Sequence, residues 1–190
     1  MAKRIAQFYK VSYEQFKEDF LDCFTTEDMK GLGILPQGFN EPDSTAVENA
    51  IKKIYCGIKL PERGTEKSAG YDFFSPISVN LKPGMTVKIP TGIRCKMDDD
   101  WVLKLYPRSG LGFKYRVQLN NTVGIIDADY FNAKNEGHIM AKITNDTNEN
   151  KTAVFEAGKG FMQGIFVEYG ITKDDNANGV RVGGFGSTNK

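Results

Sequence analysis

A succession of short β-like runs fills the chain from residue 69 onward. AGYDFFS, ISVNL, MTVKIP, GIRCKM, WVLKLYP, YRVQL, GHIMAKIT, TAVFEA and FMQGIFVEYG follow one another, separated by turn formers such as LKPG and MDDD. No helical periodicity intervenes. Strands this short and closely spaced cannot be joined by crossover helices, so the pattern points to an antiparallel sandwich or jelly roll, a mainly β fold. The 20 glycines and 7 prolines, many beside β-branched runs, suit tight turns. A length of 190 residues is enough for one well-buried domain with an added subdomain. No internal repeat is visible.

The first third reads differently. Residues 3–11 (KRIAQFYKV) predict a strand. In SYEQFKEDFLDCF, the residues Tyr13, Phe16, Phe20, Leu21 and Phe24 recur at helical spacing, and Ser12 with Gln15 has the form of a capping box. Residues 29–43, rich in Gly and Pro, predict a loop. A second helix is expected in TAVENAIKKIYCG, with Thr45 and Glu48 as a box and Gly57 at its end. Residues 1–60 therefore form a strand plus a two-helix appendage to the same domain, and 61–190 the β-domain. The glycine-rich tail at 176–190 reads as an irregular end.

Composition removes several function classes. With 25 basic and 24 acidic residues, no global field recruits nucleic acid or a membrane surface, and an anionic ligand needs local groups. His138 is the only histidine, which excludes a histidine-rich metal site and weighs against a Ser-His-Asp triad. Cys23, Cys56 and Cys95 lack a CxxC pair and are expected as buried free thiols in a reducing compartment. No apolar run reaches the ~18 residues of a membrane span, and Lys3, Arg4, Gln7 and Lys10 interrupt any signal-like segment; the expected location is cytoplasmic.

Five stretches could carry chemistry. In NNTVGIIDADY an apolar run (Val123, Ile125, Ile126) leads to Asp127, Asp129 and Tyr130, with Asn121 and Gly124 upstream. An extended segment ending in a carboxylate is a rigid mount for a general base, although a buried strand leading to an acidic turn reads the same way. YPRSGLGFK sets Arg108 and Ser109 beside Gly110 and Gly112, a guanidinium, a hydroxyl and backbone amides that suit phosphate oxygens; an ordinary turn fits equally. Asp72 opens a strand, and Gln163 stands in an otherwise apolar one, where its amide needs a partner or a ligand. VRVGGFGSTNK offers Arg181, Phe185, Gly186, Ser187 and Thr188, an arm able to close on a polyphosphate.

In this order and spacing the five segments resemble the motifs of the trimeric dUTPase family, over roughly residues 60–190. PRSGLG and GGFGST are the sharpest matches. The resemblance implies a β jelly roll assembling as a homotrimer with shared active sites, and hydrolysis of dUTP to dUMP and pyrophosphate with Mg²⁺. It makes Asp127 the general base that activates a water for in-line attack on the α-phosphorus. Arg108, Ser109 and Gly110 would hold the α- and β-phosphates, and Asn121 would read the uracil edge beside Gly124, Ile125, Ile126 and Met140. Tyr130 would pack under the deoxyribose and exclude a 2′-hydroxyl. Gln163 would reach phosphate through water, Asp72 would touch the metal through its water shell only, and Arg181, Phe185, Gly186, Ser187 and Thr188 would form the closing arm.

Three departures from the family pattern stand out. Tyr130-Phe131-Asn132 replaces Tyr-x-Gly, and the chain runs through AKNE to Gly137, giving a longer hairpin tip. Gly158-Lys159-Gly160 lacks the usual acid–base pair, and Arg181 lies one residue nearer Phe185 than usual. The helical segment at 12–57 lies outside the resemblance. Two other readings stay open. A dCTP deaminase-type relative would use a pocket glutamate, for which Glu136 is the nearest acid. A phage or mobile-element dUTPase could also bind a regulatory protein through the N-terminal helices.

Overall fold

The computed structural model describes residues 3–38, 44–179, 181 and 183. In chain order the elements are β1 (Ala6–Lys10), α1 (Tyr13–Cys23), α2 (Thr26–Gly31), α3 (Ser44–Gly57), β2 (Glu62–Arg63), β3 (Tyr71–Phe74), β4 (Val79–Leu81), β5 (Thr86–Pro90), β6 (Ile93–Met97) and β7 (Trp101–Pro107). Then come α4 (Ser109–Tyr115), β8 (Val117–Leu119), β9 (Gly124–Ile126), a 3-10 turn (Ala128–Asn132), β10 (Met140–Asn145), β11 (Ala153–Phe155) and β12 (Gly160–Glu168). The mainly β expectation holds, with helices at the N-terminal end.

Every strand pair is antiparallel. The largest sheet runs β2-β3-β12-β7-β9; β10 is flanked by β5 and β8, while β1 pairs with β6 and β11 with β4. The period-2 alternation read in the sequence becomes alternating burial: in β6, Ile93, Cys95 and Met97 face in while Lys96 faces out. Phe73, Ile89, Leu103, Leu105, Ile126, Ile139 and Ile143 are all essentially inaccessible. Phe16 and Phe20 of α1 and Ile51 of α3 join this same apolar cluster, each fully buried. Burying such a side chain contributes roughly 1.5–3 kcal/mol, so the helices are fastened to the sheets by their apolar stripe. Polar pairs add alignment: Lys17 meets Glu48 of α3 at 3.2 Å, and Lys88 of β5 meets Asp22 at 2.8 Å.

Four expectations need correction. The loop predicted from Met29 begins inside α2, which Thr25 and Asp28 nucleate by a reciprocal capping box; the buried Met29 anchors it. Residues 39–43 lie outside the described residues. The Ser12–Gln15 box is only half formed. Ser12 Oγ accepts from the Gln15 amide at 3.2 Å, but the Gln15 side chain turns to Asp19, and the Ser12 amide donates instead to Glu136 at 2.8 Å. YPRSGLGFK is no turn but carries α4, closed by Arg116 in the left-handed region (φ +48°). Finally, Cys95 is buried and Cys23 partly so, with burial pushing their thiols up to about 12 and about 11, but Cys56 is exposed; all three are free.

Candidate active site

The carboxylate singled out in the sequence stands where β9 ends. β9 lies along β7 with Gly124 opposite Leu105, and a Cβ at Gly124 would sit 3.0 Å from that of Leu105, so the close approach needs glycine. Ile126 is buried, whereas Ile125 points outward. Only Ile125 and the backbone of this strand can therefore face a ligand. The preceding turn holds Asn121, its carbonyl accepting from the Val123 amide at 2.7 Å. Its exposed side-chain amide makes no hydrogen bond among the described residues. Met140 opens β10, half-buried opposite Pro90, and the Asn120 amide ties the turn to Lys142 of the same strand at 2.9 Å.

Asp127 caps the 3-10 turn, and its own carbonyl accepts from the Tyr130 amide at 3.1 Å. Its carboxylate is half-exposed and pairs through Oδ2 with Arg181, whose Nε also donates to Asp129 at 2.7 Å. The Arg181 guanidinium lies 5.7 Å from the centre of the Tyr130 ring. The Arg181 side chain is largely covered while the carboxylates stay half-exposed, so the guanidinium fixes where they point. Among the described residues Oδ1 of Asp127 takes no hydrogen bond. Tyr130 is only 3% exposed; its hydroxyl donates to the His138 carbonyl and accepts from the Asn135 amide, both at 2.8 Å. Burial pushes its phenol up, so it stays a donor at neutral pH.

A second group forms around Arg108. This residue follows β7 and precedes α4; its Nε lies 3.3 Å from Asp72, and Nη1 reaches the Gly160 carbonyl at 3.4 Å. Gln163 of β12 sits in register between Asp72 of β3 and Tyr106 of β7. Sheet pairing thus unites Asp72, Arg108 and Gln163, three residues far apart in the chain. Ser109 and Gly110 are exposed at the start of α4, where the first amides of a helix lack intrahelical acceptors. A Cβ on Gly110 would meet no heavy atom within 4 Å, so nothing inside the chain requires glycine there. Phe185, Gly186, Ser187 and Thr188 lie outside the described residues. No cluster of three or more metal-binding side chains occurs among the described residues. The single carboxylate of Asp72, beside a guanidinium, suits an ion that arrives on phosphates and meets the protein through water, not one caged by side chains.

The two groups do not meet within one chain. Ile126 pairs with Leu103, whereas Arg108 follows the far end of β7. Five residues of strand separate them, roughly 16 Å at 3.3 Å per residue. Sequence reasoning identified both groups but missed Asp129 as a co-ligand of Arg181, and Asn135 as the support of Tyr130; only the DADY and AKNE clusters hinted at either.

Comparison with known proteins places the chain in a family. The dUTPase family model matches residues 57–189, which span both groups. The deoxyuridine 5'-triphosphate nucleotidohydrolase of Lactococcus lactis is 41% identical over 136 residues, covering 70% of this chain and 89% of that protein. The crystal structure of dUTPase from Streptococcus mutans shares 38% identity and superposes with a TM-score of 0.54 over 62% of this chain and 90% of its own. The dUTPase from phage phi11 of S. aureus, at 22% identity and a TM-score of 0.52 over 65% of this chain and 91% of its own, shares the fold. With a match across most of its length, the chain belongs to the dUTPase family.

Proposed function

We propose that this dUTPase-family hydrolase cleaves dUTP to dUMP and pyrophosphate in a site that different copies of the chain build together. The observation that carries this reading is the separation of the Asp127 group from the Arg108 group by the length of β7. A nucleotide held at its base by one copy can present its phosphates to the other group of a second copy, as a homotrimer with shared sites would allow.

In that site Asp127 accepts a proton from a water through its unengaged Oδ1, and the water attacks the α-phosphorus in line while pyrophosphate leaves. The Arg108 guanidinium, the Ser109 hydroxyl and the Gly110 amide hold the α- and β-phosphates. Gln163 positions a phosphate water. The Asn121 amide reads the uracil edge, flanked by Ile125, the backbone of Gly124 and Ile126, and Met140. Tyr130 forms the wall under the deoxyribose, and Phe185, Gly186, Ser187 and Thr188, with Arg181, close the arm. Asp72 would hold Mg²⁺ through its water shell, and the ion, when bound on the triphosphate, would supply neutralisation of the charge that repels the carboxylate. The deaminase alternative needs a free glutamate. Glu136 is not one: its carboxylate accepts from the Ser12 amide and hydroxyl at 2.8 and 2.6 Å. A regulatory partner on the N-terminal helices stays a second reading: Phe16, Phe20 and Ile51 are spent on the core, whereas Leu21 of α1 is exposed.

The test has two parts. Purified protein with Mg²⁺ should release pyrophosphate from dUTP in preference to dCTP, dTTP and UTP, without ammonia. Asp127→Asn and Arg108→Ala chains, each inactive, should regain activity when mixed and allowed to exchange, since some sites would then draw an intact half from each. Absence of any recovery from the exchanged mixture would place the site within one chain.

A further inference from the structure

We infer that α1 is a positioning element for the nucleotide pocket, with Ser12 and Asp19 as positioning residues that set the Tyr130 wall through the hairpin tip 131–138. The inference rests on the proposed role of Tyr130 and extends it to a helix outside the matched family region, 57–189.

Contacts run unbroken from the ring to the helix. The Tyr130 hydroxyl is held by the His138 carbonyl and the Asn135 amide, so the ring is tied to residues 135–138. Both ends of that stretch are then fastened to α1. Glu136 accepts from the Ser12 amide at 2.8 Å and the Ser12 hydroxyl at 2.6 Å, a carboxylate seated at the positive end of the helix. Two residues on, the fully buried His138 ring accepts from the Gly92 amide through Nε2 at 2.7 Å. That leaves the ring proton on Nδ1, which donates to Asp19 at 2.5 Å. Burial works to raise the Asp19 carboxyl, but the bonds from His138 and Gln15 outweigh it and hold it below its usual value.

The tip is also strained in a way these contacts explain. Glu136 adopts φ +56°, a left-handed conformation that costs a side-chain-bearing residue roughly 1–2 kcal/mol. Gly137 follows at φ +70°, with its hypothetical Cβ 2.5 Å from the Tyr130 carbonyl oxygen. Such a conformation persists where surroundings over-determine it. Here they do: Arg94 donates to the Phe131 carbonyl at 2.6 Å, stacks 3.7 Å from that ring, and lies 3.6 Å from Glu136. A helix merely docked for stability would not need to hold a strained turn directly behind the sugar wall.

Two readouts test the assignment on the intact protein. The first is the ratio of kcat/KM for dUTP over UTP, which reports room beside the 2′-carbon. Glu136→Gln and Asp19→Asn should each lower it at least tenfold while kcat on dUTP stays within threefold. Lys17→Ala, which cuts only the α1–α3 salt bridge, should leave it unchanged. The second is amide hydrogen exchange across 130–138 in the free protein, expected to speed up at least tenfold in Glu136→Gln. A lowered melting temperature with an unchanged ratio and unchanged exchange would reduce α1 to a structural prop and overturn the inference. Unchanged exchange in Glu136→Gln would overturn it even if the wild type ignored dUTP, a result that by itself would sink only the proposed activity. Should Asp19→Asn fail to fold, Glu136→Gln, at a partly exposed pair, carries both measurements.

Discussion

The two halves of the candidate site are built on opposite plans. Around Tyr130 the chain is closed: Gly137 touches the backbone of Tyr130 and Phe131, and the carboxylate of Glu136 is engaged. Around Arg108 the chain is open: Gly110 and Gly112 have nothing near the place a Cβ would take, and Phe113 between them and the end of α4 is 90% exposed. In the proposed site, a wall that excludes one hydroxyl needs fixed walls behind it, and a surface that receives flexible phosphates, or a neighbouring copy, needs room. Gly137 therefore answers a packing demand in one half, whereas Gly110 and Gly112 leave space in the other.

That contrast can be broken at four points. The largest effect should come from the single reactive group the closed half exposes. Asp127→Asn should lower kcat on dUTP about 10²- to 10⁴-fold with nucleotide affinity retained, read by pyrophosphate release and titration calorimetry; near-normal turnover would move the base elsewhere. Gly137→Ala should destabilise the fold by about 3 kcal/mol, lowering the melting temperature by roughly 6–12 °C, because positive φ and a backbone clash act together. Gly110→Ala should do the reverse. Its helical position gains up to about 1 kcal/mol, while kcat/KM on dUTP falls roughly tenfold as the methyl fills the phosphate approach. If Gly110→Ala were destabilising, the open half would be closed after all.

The smallest effect is one of pH. The Asp19 carboxyl is held below its ordinary value in the fold, so the stability it contributes is present above roughly pH 5 and is lost as pH falls through its folded value. The melting-temperature gap between the wild type and Asp19→Asn should thus be widest near neutrality and close in acid. A gap independent of pH would mean that the carboxylate's charge does no holding at all.

Local pattern carried most of the architecture. Alternation in GIRCKM and ISVNL marks the strands because one face of each is buried, and the Phe16–Phe20 spacing marks α1 because a helix must hide one stripe. The misses share a cause. In PRSGLGFK two glycines and a serine carry weak helix propensity, yet the segment is helical, with Leu111 and Tyr115, one turn apart, packed against the core. The Ser12 box was misread because the acceptor for its amide comes from 124 residues away. The structural role of His138 is invisible in the sequence for the same reason, its partner lying 119 residues earlier in α1. For the site, residue types were legible, but their division into two groups came from the register of β7, which no short window contains.

The handclasp between Ser12 and Glu136 ties the hairpin tip to a helix outside the matched family region. Trimming the tip would strand a helix start without its acceptor, and removing the helix would leave a left-handed glutamate with Arg94 alone to grip. The hairpin tip and the helix are, in mechanical terms, one part, each holding the other in place.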